Sequence, residues 1–245
     1  MSDLTLIYEG KAKTLYQGPA SDEIFIYFKD DTTAFNGEKK EIITQKGEIN
    51  FQISRLIFKY LEKNGVKTHY LKPVDERTIL AKKLDIIPVE FVIRNIAAGS
   101  VLKRIPVKQG FEFKSPIIEY FYKSDEMGDP MINPYHIEAC NLCSMENLMT
   151  ITEKTFRVNH LLKSLFDKCG IILVDFKLEF GIDSQNNIML GDEISPDSCR
   201  LWDKVTKEVL DKDVFRKGNG NIVDKYKKVL ERLQEELNDK SQSLC

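Results

Sequence analysis

The first third of the chain shows the alternation of apolar and polar side chains that is typical of β-strands. The alternation runs over residues 4–8, stops at Gly10 and resumes over residues 12–16, which predicts a strand, a turn and a second strand. Residues 24–28 are rich in β-branched and aromatic side chains and predict a third strand. The polar stretch 29–37 then predicts a loop.

Beyond this region, three segments repeat their apolar residues with the 3.6-residue period of an α-helix. Asn64 and Gly65 end the first segment, and Gly170 ends the second. A small-residue bend at 97–100 opens a further, short helix. The three long predicted helices cover residues 47–64, 144–169 and 223–237.

Strands and helices together predict an α+β fold with antiparallel sheets and flanking helices. A hinge at residues 83–88 divides the chain into two predicted lobes: residues 1–86, mostly antiparallel β, and residues 87–245, mixed α+β. A long loop is expected over residues 123–134. The remaining predicted strands cover residues 66–71, 78–82, 89–94, 171–180 and 188–194.

The charge balance of the chain excludes one class of partner. The 245 residues carry 36 Lys and Arg against 38 Asp and Glu, a net charge of −2, whereas proteins that bind nucleic acids have a marked basic excess. We find no apolar run near the ~20 residues of a membrane helix and no signal-peptide pattern. The five cysteines form no disulfide framework. We therefore expect a cytoplasmic protein that binds neither nucleic acid nor a membrane.

The strongest candidate for chemistry is the strand that contains residues 174–181. Side chains alternate across a strand, so Asp175, Lys177 and Glu179 share one face. If the chain turns over residues 184–187, residue i faces residue 371 − i, and Glu179 lies opposite Asp192. Two opposed carboxylates repel one another, and Mg²⁺ would relieve the repulsion. The alternative is a solvated strand face on which Lys177 screens the acids.

Two further motifs could hold phosphate groups. Lys11 and Lys13 follow the bend at Gly10 and could cover a polyphosphate, although a turn with two lysines is often only a turn. Arg94 precedes Ser100, which opens a helix, and a helix N-terminus favours an anion. The alternative for this second motif is a capping serine beside a surface arginine.

Other polar residues are weaker candidates. The turn at residues 195–197 places Asp197, Ser198 and Arg200 shortly after Asp192, and a polar loop carries Lys123 and Asp129. The pair Cys140 and Cys143 has no second pair and no suitably spaced histidines, which argues against zinc. His69, His136 and His160 show no metal spacing either, so we expect each to be a surface or a core residue.

Taken together, these motifs resemble the SAICAR synthetase family of purine biosynthesis, in its short bacterial form. They occur in the family's order over nearly the whole chain, and their combination is specific. The motifs are Tyr8-Glu-Gly-Lys-Ala-Lys, Asp31-Thr-Thr-Ala-Phe-Asn-Gly, Val89-Glu-Phe-Val-Ile-Arg-Asn-Ile-Ala-Ala-Gly-Ser, Asp125-Glu-Met-Gly-Asp-Pro, Val174-Asp-Phe-Lys-Leu-Glu-Phe-Gly and Gly191-Asp-Glu-Ile-Ser-Pro-Asp-Ser-Cys-Arg-Leu-Trp-Asp.

The resemblance implies a two-lobed fold with ATP in the cleft between the lobes. It also implies an ATP-dependent ligase that joins carboxyaminoimidazole ribonucleotide (CAIR) to L-aspartate, with SAICAR, ADP and phosphate as products. An acyl phosphate would be the intermediate, because a carboxylate is a poor electrophile. In this sequence, Lys11, Ala12 and Lys13 would cover the ATP phosphates, and Lys82 and Lys123 would border the nucleotide.

The same resemblance assigns roles in metal binding and catalysis. Glu179 and Asp192 would hold Mg²⁺, and Asp129 would be a further metal or substrate contact. Asp175 and Lys177 would lie beside the reacting carboxylate, where Lys177 could neutralise developing charge.

For the ribonucleotide, the resemblance implies that Arg94, Ser100 and Arg200 grip the phosphate. Asp197 would contact the ribose or the imidazole, and Arg216 is a further substrate candidate. We also expect a homodimer.

Two positions depart from the usual pattern of the family. Asn36 stands where many relatives have an aspartate, which removes a charge from that loop. Cys199 stands where relatives often have a small residue, and we expect it to serve packing, although a thiol there could make the site sensitive to alkylation.

Two other functions share these features. A small-molecule kinase would use the same acids and lysines but would release a stable phosphorylated product. A non-catalytic nucleotide-binding module would bind ATP without turnover.

Overall fold

The computed structural model describes residues 4–34, 39–218 and 220–242. These residues form two large sheets whose strand pairings are all antiparallel, a separate two-stranded hairpin, and helices that flank the sheets. The α+β prediction with antiparallel sheets and flanking helices is therefore confirmed.

The first sheet is built from the amino-terminal strands and has the order β1-β2-β3-β7-β6. Four of its strands begin and end within two residues of the predicted positions. The fifth, β6, begins later than residue 66 because the preceding residues cross towards the second sheet, where Thr68 bridges Leu190. The strands are β1 (Leu6–Glu9), β2 (Lys13–Gln17), β3 (Glu23–Phe28), β6 (Tyr70–Pro73) and β7 (Thr78–Lys82).

The predicted loop at residues 29–37 is wrong in part, because a short strand lies within it and pairs with a second strand just beyond it. Strands β4 (Asp31–Ala34) and β5 (Lys39–Ile42) pair from Asp31 with Ile42 to Ala34 with Lys39. Polar side chains dominate both strands, so the apolar alternation that marks a strand is missing; Thr32 is the one buried residue among those of the two strands whose burial is described. Asn36 lies outside the described residues.

The second sheet carries most of the predicted site and has the order β10-β9-β8-β11-β12, with a further strand, β13, paired to β11. Strand β9 was not predicted at all. The strands are β8 (Asp85–Ile96), β9 (Glu112–Tyr122), β10 (Met131–Ile132), β11 (Ile171–Ile182), β12 (Ile188–Leu190) and β13 (Cys199–Asp203).

The predicted hairpin register is wrong by one residue. Phe180 pairs with Leu190, and β12 ends there instead of continuing to residue 194. Asp192 has a left-handed backbone, with φ of 56°, which is incompatible with a continuing strand. The residue opposite Glu179 is Glu90, on β8.

The helices pack against the sheets, and the long ones begin near the predicted residues. Ser144 caps α3 by accepting a hydrogen bond from the Asn147 N–H, and Gly170 ends it with φ of 66°, as predicted. The predicted loop at 123–134 contains β10 and the first residue of α2 instead. The helices are α1 (Lys46–Lys63), α2 (Pro134–Ala139), α3 (Met145–Lys168), α4 (Asp213–Lys217) and α5 (Ile222–Gln242), with a 3₁₀ helix at Gly99–Lys103.

One apolar cluster runs through both sheets. It joins side chains of the first sheet, such as Phe28, to side chains of the second, such as Phe91 and Phe176, and to α3 and α5. The large sheets separate between Lys82 and Asp85, whereas the predicted boundary at residues 86 and 87 falls inside β8. The division into two lobes stays a prediction. Within the described residues, every helix is too short or too polar to cross a bilayer.

Candidate active site

A cleft of about 680 Å³ lies where the β1–β2 hairpin and the end of β7 meet the second sheet. Its second wall comes from β8, β11 and the turns that follow β9 and β12. Ten of the predicted site residues line this cleft: Lys11, Ala12, Lys13, Lys82, Lys123, Asp129, Lys177, Glu179, Asp192 and Asp197.

Lys177 is the centre of the charge network in this cleft. Its Nζ donates to Glu90 Oε1 at 2.7 Å and to Glu179 Oε1 at 2.8 Å, and it lies 3.9 Å from Asp192 Oδ2. Burial opposes the charge of Lys177, but the neighbouring carboxylates outweigh burial and raise its pKa well above the usual value. A single ammonium group thus holds acids from β8, β11 and the turn after β12.

Glu90 belongs to this network although it was not among the predicted site residues. Burial raises its pKa, and the contact with Lys177 opposes the rise. The sequence carried a usable signal, since Glu90 shares a face of β8 with Arg94. What was missing was the pairing of β8 with β11, which sets Glu90 beside Glu179.

Lysines from elsewhere approach the same carboxylates. Lys13, on β2, forms ion pairs with Asp192 and with Glu193, the latter at 3.3 Å. Burial opposes the charge of Lys13, but Asp192 and Glu193 outweigh burial and raise its pKa. Burial also opposes the charge of Asp192, but the nearby lysines outweigh it and lower the pKa of Asp192. Lys123 is paired with Glu179. The positive charges of these lysines therefore gather around the carboxylates of the cleft.

The donor set of the cleft fits magnesium in its chemistry. Glu179 and Asp192 offer carboxylate oxygens, which Mg²⁺ prefers, and phosphate and water oxygens would supply its other ligands. Asp129 also lines the cleft, and its Oδ1 accepts the Ser124 N–H at 3.0 Å. Across residues 4–34, 39–218 and 220–242, however, no three or more His, Cys, Asp or Glu side chains are grouped around one point. Magnesium stays a prediction.

His69 also lines the cleft, which the sequence did not indicate. Its side chain is buried against Phe58, with the ring centroids 5.3 Å apart. Burial, with the nearby charge of Lys13, lowers the pKa of His69 to about 4, so its imidazole is neutral at pH 7. Ser198, a weaker candidate from the sequence, lines the cleft as well, and so do Glu193 and Lys212, which were not predicted as site residues.

A second group of predicted residues forms what we call the arginine cluster: Arg94, Ser100, Asp175 and Arg200. Asp175 Oδ2 accepts from Arg94 Nη1 at 2.6 Å and from Arg200 Nη1 at 2.9 Å. Arg94 Nη2 donates to the Ser100 hydroxyl at 3.2 Å, and its Nε donates to Glu119 at 2.8 Å. Burial raises the pKa of Asp175, against the pull of the arginines. Asp175 thus faces the arginines, two residues along β11 from Lys177.

Gly99 allows this cluster to form. Its φ is 63°, and a Cβ at this position would lie 2.5 Å from Arg200 Nη2. Arg216 is connected only indirectly, because Asp213 accepts from Arg216 Nη1 at 2.5 Å and from Arg200 Nε at 3.0 Å.

Asp197 lies between the cleft and the helices. Its Oδ2 accepts from Lys46 at 2.6 Å and from Asn50 at 3.0 Å, and its Oδ1 accepts from Tyr226 at 2.6 Å. Burial opposes its charge, but Lys46 outweighs burial and lowers the pKa of Asp197. Nearby, Cys199 is buried, and burial raises the pKa of its thiol, so its thiolate form is disfavoured.

Comparison with known proteins gives the class and the family. The sequence model of the SAICAR synthetase family matches residues 6–233. The phosphoribosylaminoimidazole-succinocarboxamide synthase of Caldanaerobacter subterraneus is 50% identical over 235 residues, which are 96% of this chain and 100% of that protein. The synthase of Clostridium botulinum is 48% identical over 233 residues, 95% of this chain and 99% of that protein.

Solved structures agree with the sequence matches. The synthase of Ehrlichia chaffeensis has a TM-score of 0.91 and 45% identity, over 94% of this chain and 98% of that one. A SAICAR synthetase solved in complex with ADP also has a TM-score of 0.91, with 47% identity over 93% of this chain and 97% of that one.

Because the chain matches these ligases over nearly its whole length, it is a ligase. It belongs to the SAICAR synthetase family.

Proposed function

We propose that this chain uses ATP to join CAIR to the amine of L-aspartate, with SAICAR, ADP and phosphate as products. One observation carries the proposal: the cleft gathers Lys11, Lys13, Lys82, Lys123 and Lys177 around two acids that suit a metal. The similar structure solved with ADP supports a nucleotide in this cleft.

The reaction would proceed through an acyl phosphate. A carboxylate oxygen of CAIR attacks the γ-phosphorus of ATP, a carbon–oxygen–phosphorus link forms, and the bond to the leaving ADP breaks. The amine of aspartate then attacks the acyl carbon. A carbon–nitrogen bond forms, inorganic phosphate leaves, and the amine loses a proton.

The lysines of the cleft would neutralise most of the negative charge of ATP and of the transferred phosphoryl group. Lys11, Ala12 and Lys13 would cover the ATP phosphates from the first hairpin, with Lys82 and Lys123 beside the nucleotide. Lys177 would neutralise the charge that develops on the transferred phosphoryl group. The contacts of Lys177 with acids from three segments support this proposal only in fixing its ammonium group inside the cleft.

Magnesium would be held by Glu179 and Asp192, with Asp129 as a further metal or substrate contact. The bound ion would supply charge neutralisation to the phosphates. Lys13 and Lys123, which pair with these same acids, would bind the phosphates beside the ion.

The arginine cluster would bind the phosphate of the ribonucleotide. Arg200 has 20% of its side chain exposed, compared with 4% for Arg94, so Arg200 and the exposed Ser100 would make the outer contacts. Arg94 would act from behind them, and Asp175 would orient both guanidinium groups and stay close to Lys177. We assign Asp197 to the ribose or imidazole, through the turn that it anchors, and Arg216 to a supporting substrate contact.

The coupling of ADP release to aspartate tests the ligase against a kinase. ADP and SAICAR are expected to appear together when ATP, Mg²⁺, CAIR and L-aspartate are all present. Full-rate ADP release with CAIR but without aspartate would favour a small-molecule kinase. Tight ATP binding without any turnover would favour a non-catalytic nucleotide-binding module.

The intermediate needs an isotope test. With CAIR labelled by oxygen-18 in its carboxylate, an acyl phosphate transfers one labelled oxygen to inorganic phosphate. Mass analysis of the phosphate detects it. Unlabelled phosphate, formed together with labelled SAICAR, would contradict the acyl phosphate but not the ligase.

We also propose a homodimer that works in the cytoplasm. Analytical ultracentrifugation at micromolar concentration should give twice the chain mass of 28.3 kDa. A single species at the chain mass would contradict the dimer.

A further inference from the structure

Arg200 is held from two sides within the arginine cluster. Its Nη1 donates to both oxygens of Asp175, at 3.1 Å to Oδ1 and 2.9 Å to Oδ2, and its Nε donates to Asp213 Oδ2 at 3.0 Å. Asp175 lies on β11, and Asp213 lies in the first turn of α4. The guanidinium group therefore cannot rotate without breaking one of these ion pairs.

The Nη2 group of Arg200 is left without an acceptor. Among residues 4–34, 39–218 and 220–242, hydrogen bonds leave Arg200 from Nε and Nη1, and no residue accepts one from Nη2. Nη2 lies against Gly99, where a Cβ would stand 2.5 Å from it. A guanidinium group has five N–H donors and binds oxyanions through them, so the donors on Nη2 are available to a ligand.

A second arginine keeps Asp213 from occupying Nη2. Carboxylates often bind an arginine through both oxygens, each on one of two neighbouring N–H groups. Asp213 Oδ1 instead accepts from Arg216 Nη1 at 2.5 Å, so only Oδ2 faces Arg200. Burial opposes the charge of Asp213, but the arginines outweigh burial and lower its pKa, so this carboxylate is ionised at pH 7.

A buried carboxylate fixes the backbone on both sides of the Arg200–Asp213 ion pair. Asp211 has no exposed surface. Its Oδ2 accepts the N–H of Leu201, the residue after Arg200, at 2.8 Å, and its Oδ1 accepts the N–H of Asp213 at 2.8 Å. The two partners are therefore anchored to one side chain, which lowers the cost of holding the guanidinium group in one orientation for a ligand.

We propose that Asp213 is a positioning residue: while Arg216 holds its second oxygen, it orients Arg200 so that Nη2 stays free for the phosphate of the ribonucleotide. This inference rests on the proposed function only in placing that phosphate at the arginine cluster. The ion pairs of Asp213 do not depend on it.

Asp213→Asn separates this role from a simple effect of charge. A carboxylate repels a phosphate bound nearby, so if Asp213 acted through its charge alone, the variant would bind the ribonucleotide more tightly. If Asp213 positions Arg200, the variant should bind more weakly, because one amide oxygen cannot replace two carboxylate oxygens and the guanidinium group is released. The two roles thus predict changes of opposite sign.

The main readout is the Kd for CAIR, measured by calorimetry without ATP and aspartate so that no reaction occurs. We expect Asp213→Asn to bind CAIR roughly tenfold more weakly than the wild type, the effect of one hydrogen bond to a charged group. The Kd for ADP should stay within about twofold. An unchanged or tighter Kd for CAIR would overturn the proposal, and so would equal losses for CAIR and ADP, because general loosening of the protein would affect both ligands.

Asp167→Asn is the matched control. It removes the same charge from an ion pair with Lys204 in which Asp167 is 63% exposed, so both Kd values should stay within about twofold. Asp213→Ala removes both oxygens and is expected to behave like Asp213→Asn, which it replaces if the asparagine variant does not fold.

A second readout needs no ligand. The Nε proton of Arg200 should exchange with water faster in Asp213→Ala than in the wild type, because its acceptor is lost. Nuclear magnetic resonance of the arginine Nε–H groups detects the exchange, and Arg200→Lys identifies the signal. An unchanged exchange rate would contradict the proposal.

The proposed function fails separately from this inference. Where the ligase reaction holds, Asp213→Asn should raise the KM for CAIR and leave kcat within about twofold, because uniform binding of the phosphate is lost. Wild-type protein that binds CAIR but forms no SAICAR would refute the ligase reaction and leave the binding test intact. Wild-type protein that binds no CAIR would overturn both.

Discussion

Lys177 illustrates how much of the site depends on one side chain. It bridges Glu90, Glu179 and Asp192, whose charges would otherwise repel one another. Lys177→Ala should lower kcat by about 10² to 10³, because a charge aimed at the transferred group is lost, and should change the Kd for ATP much less. Steady-state kinetics and calorimetry check the two quantities. An unchanged kcat would remove Lys177 from the mechanism.

A matched control for this variant lies on the surface. Lys204 pairs with Asp167, and both side chains are about half exposed. Lys204→Ala removes the same charge from the protein, so it should leave kcat within about twofold, since an exposed ion pair contributes under ~1 kcal/mol.

Glu179 provides the test of the metal. Glu179→Gln keeps the shape of the side chain but removes the charge, so the Mg²⁺ concentration that gives half-maximal rate should rise by at least about tenfold. Titration of activity with Mg²⁺ measures it. Glu90→Gln is the control, because Glu90 also contacts Lys177 but is not a predicted metal ligand. Equal shifts in both variants would argue against Glu179 as a ligand.

Arg94 has a structural role besides the proposed contact with phosphate. It is buried between Asp175 and Glu119, and Arg94→Ala would leave both carboxylates without this partner. We expect a loss of about 3–5 kcal/mol in unfolding free energy, measured by urea titration. Arg104 also pairs with Glu119 but is 29% exposed, so Arg104→Ala should cost about 1 kcal/mol. Equal losses would show that burial does not decide the cost.

Site residues could be predicted from the sequence where neighbouring residues placed them, and not where contacts between distant segments did. Strand alternation alone put Lys177 and Glu179 on one face, and the cleft contains both. Glu90 required the pairing of β8 with β11, and His69 required the approach of a loop to β12. Contacts between distant segments leave no periodic signal in one sequence. They were missed for that reason.

At the scale of elements, helices α1 and α5 meet at a single carboxylate. Lys46 and Asn50 of α1 and Tyr226 of α5 all donate to Asp197, in the turn before β13. The turn is therefore held by helices from opposite ends of the chain, and a change in either helix should reach the cleft through Asp197.

Removing one hydroxyl tests this connection. Tyr226→Phe should lower the unfolding free energy by about 2 kcal/mol, because a buried hydrogen bond to a charged group is lost. The KM for CAIR should also rise as the turn loosens. Thermal melting and kinetics provide the two measurements, with the exposed Tyr135→Phe as control. A change in stability alone would confine Tyr226 to a structural role.

Elements with a clear period were predicted well, and elements without one were not. The long helices α1, α3 and α5 carry apolar stripes, and each was placed to within a few residues except for the end of α5. The β4–β5 hairpin is too polar to show alternation. The β11–β12 register was wrong by one residue, because turn geometry, which sets the register, cannot be read from residue type alone.

At the scale of the whole molecule, the shared core predicts cooperative unfolding. The chain has one tryptophan, Trp202, on β13 of the second sheet, so its fluorescence reports that sheet, while circular dichroism reports every helix. Because apolar side chains of both sheets form one cluster, the two urea transitions should coincide. Separate transitions would instead support two lobes with independent stability.

The lysines of the β1–β2 hairpin that form ion pairs in the cleft differ in solvent exposure. The Lys11–Asp125 pair at the mouth is 47% and 68% exposed, whereas the Lys13–Asp192 pair inside is 15% and 18% exposed. Dissolved ions screen exposed charges over about 8 Å at physiological ionic strength and reach enclosed pairs much less. Added salt should therefore loosen the entrance of the cleft before its floor, so that ionic strength acts on ligand entry and release more than on the bound state.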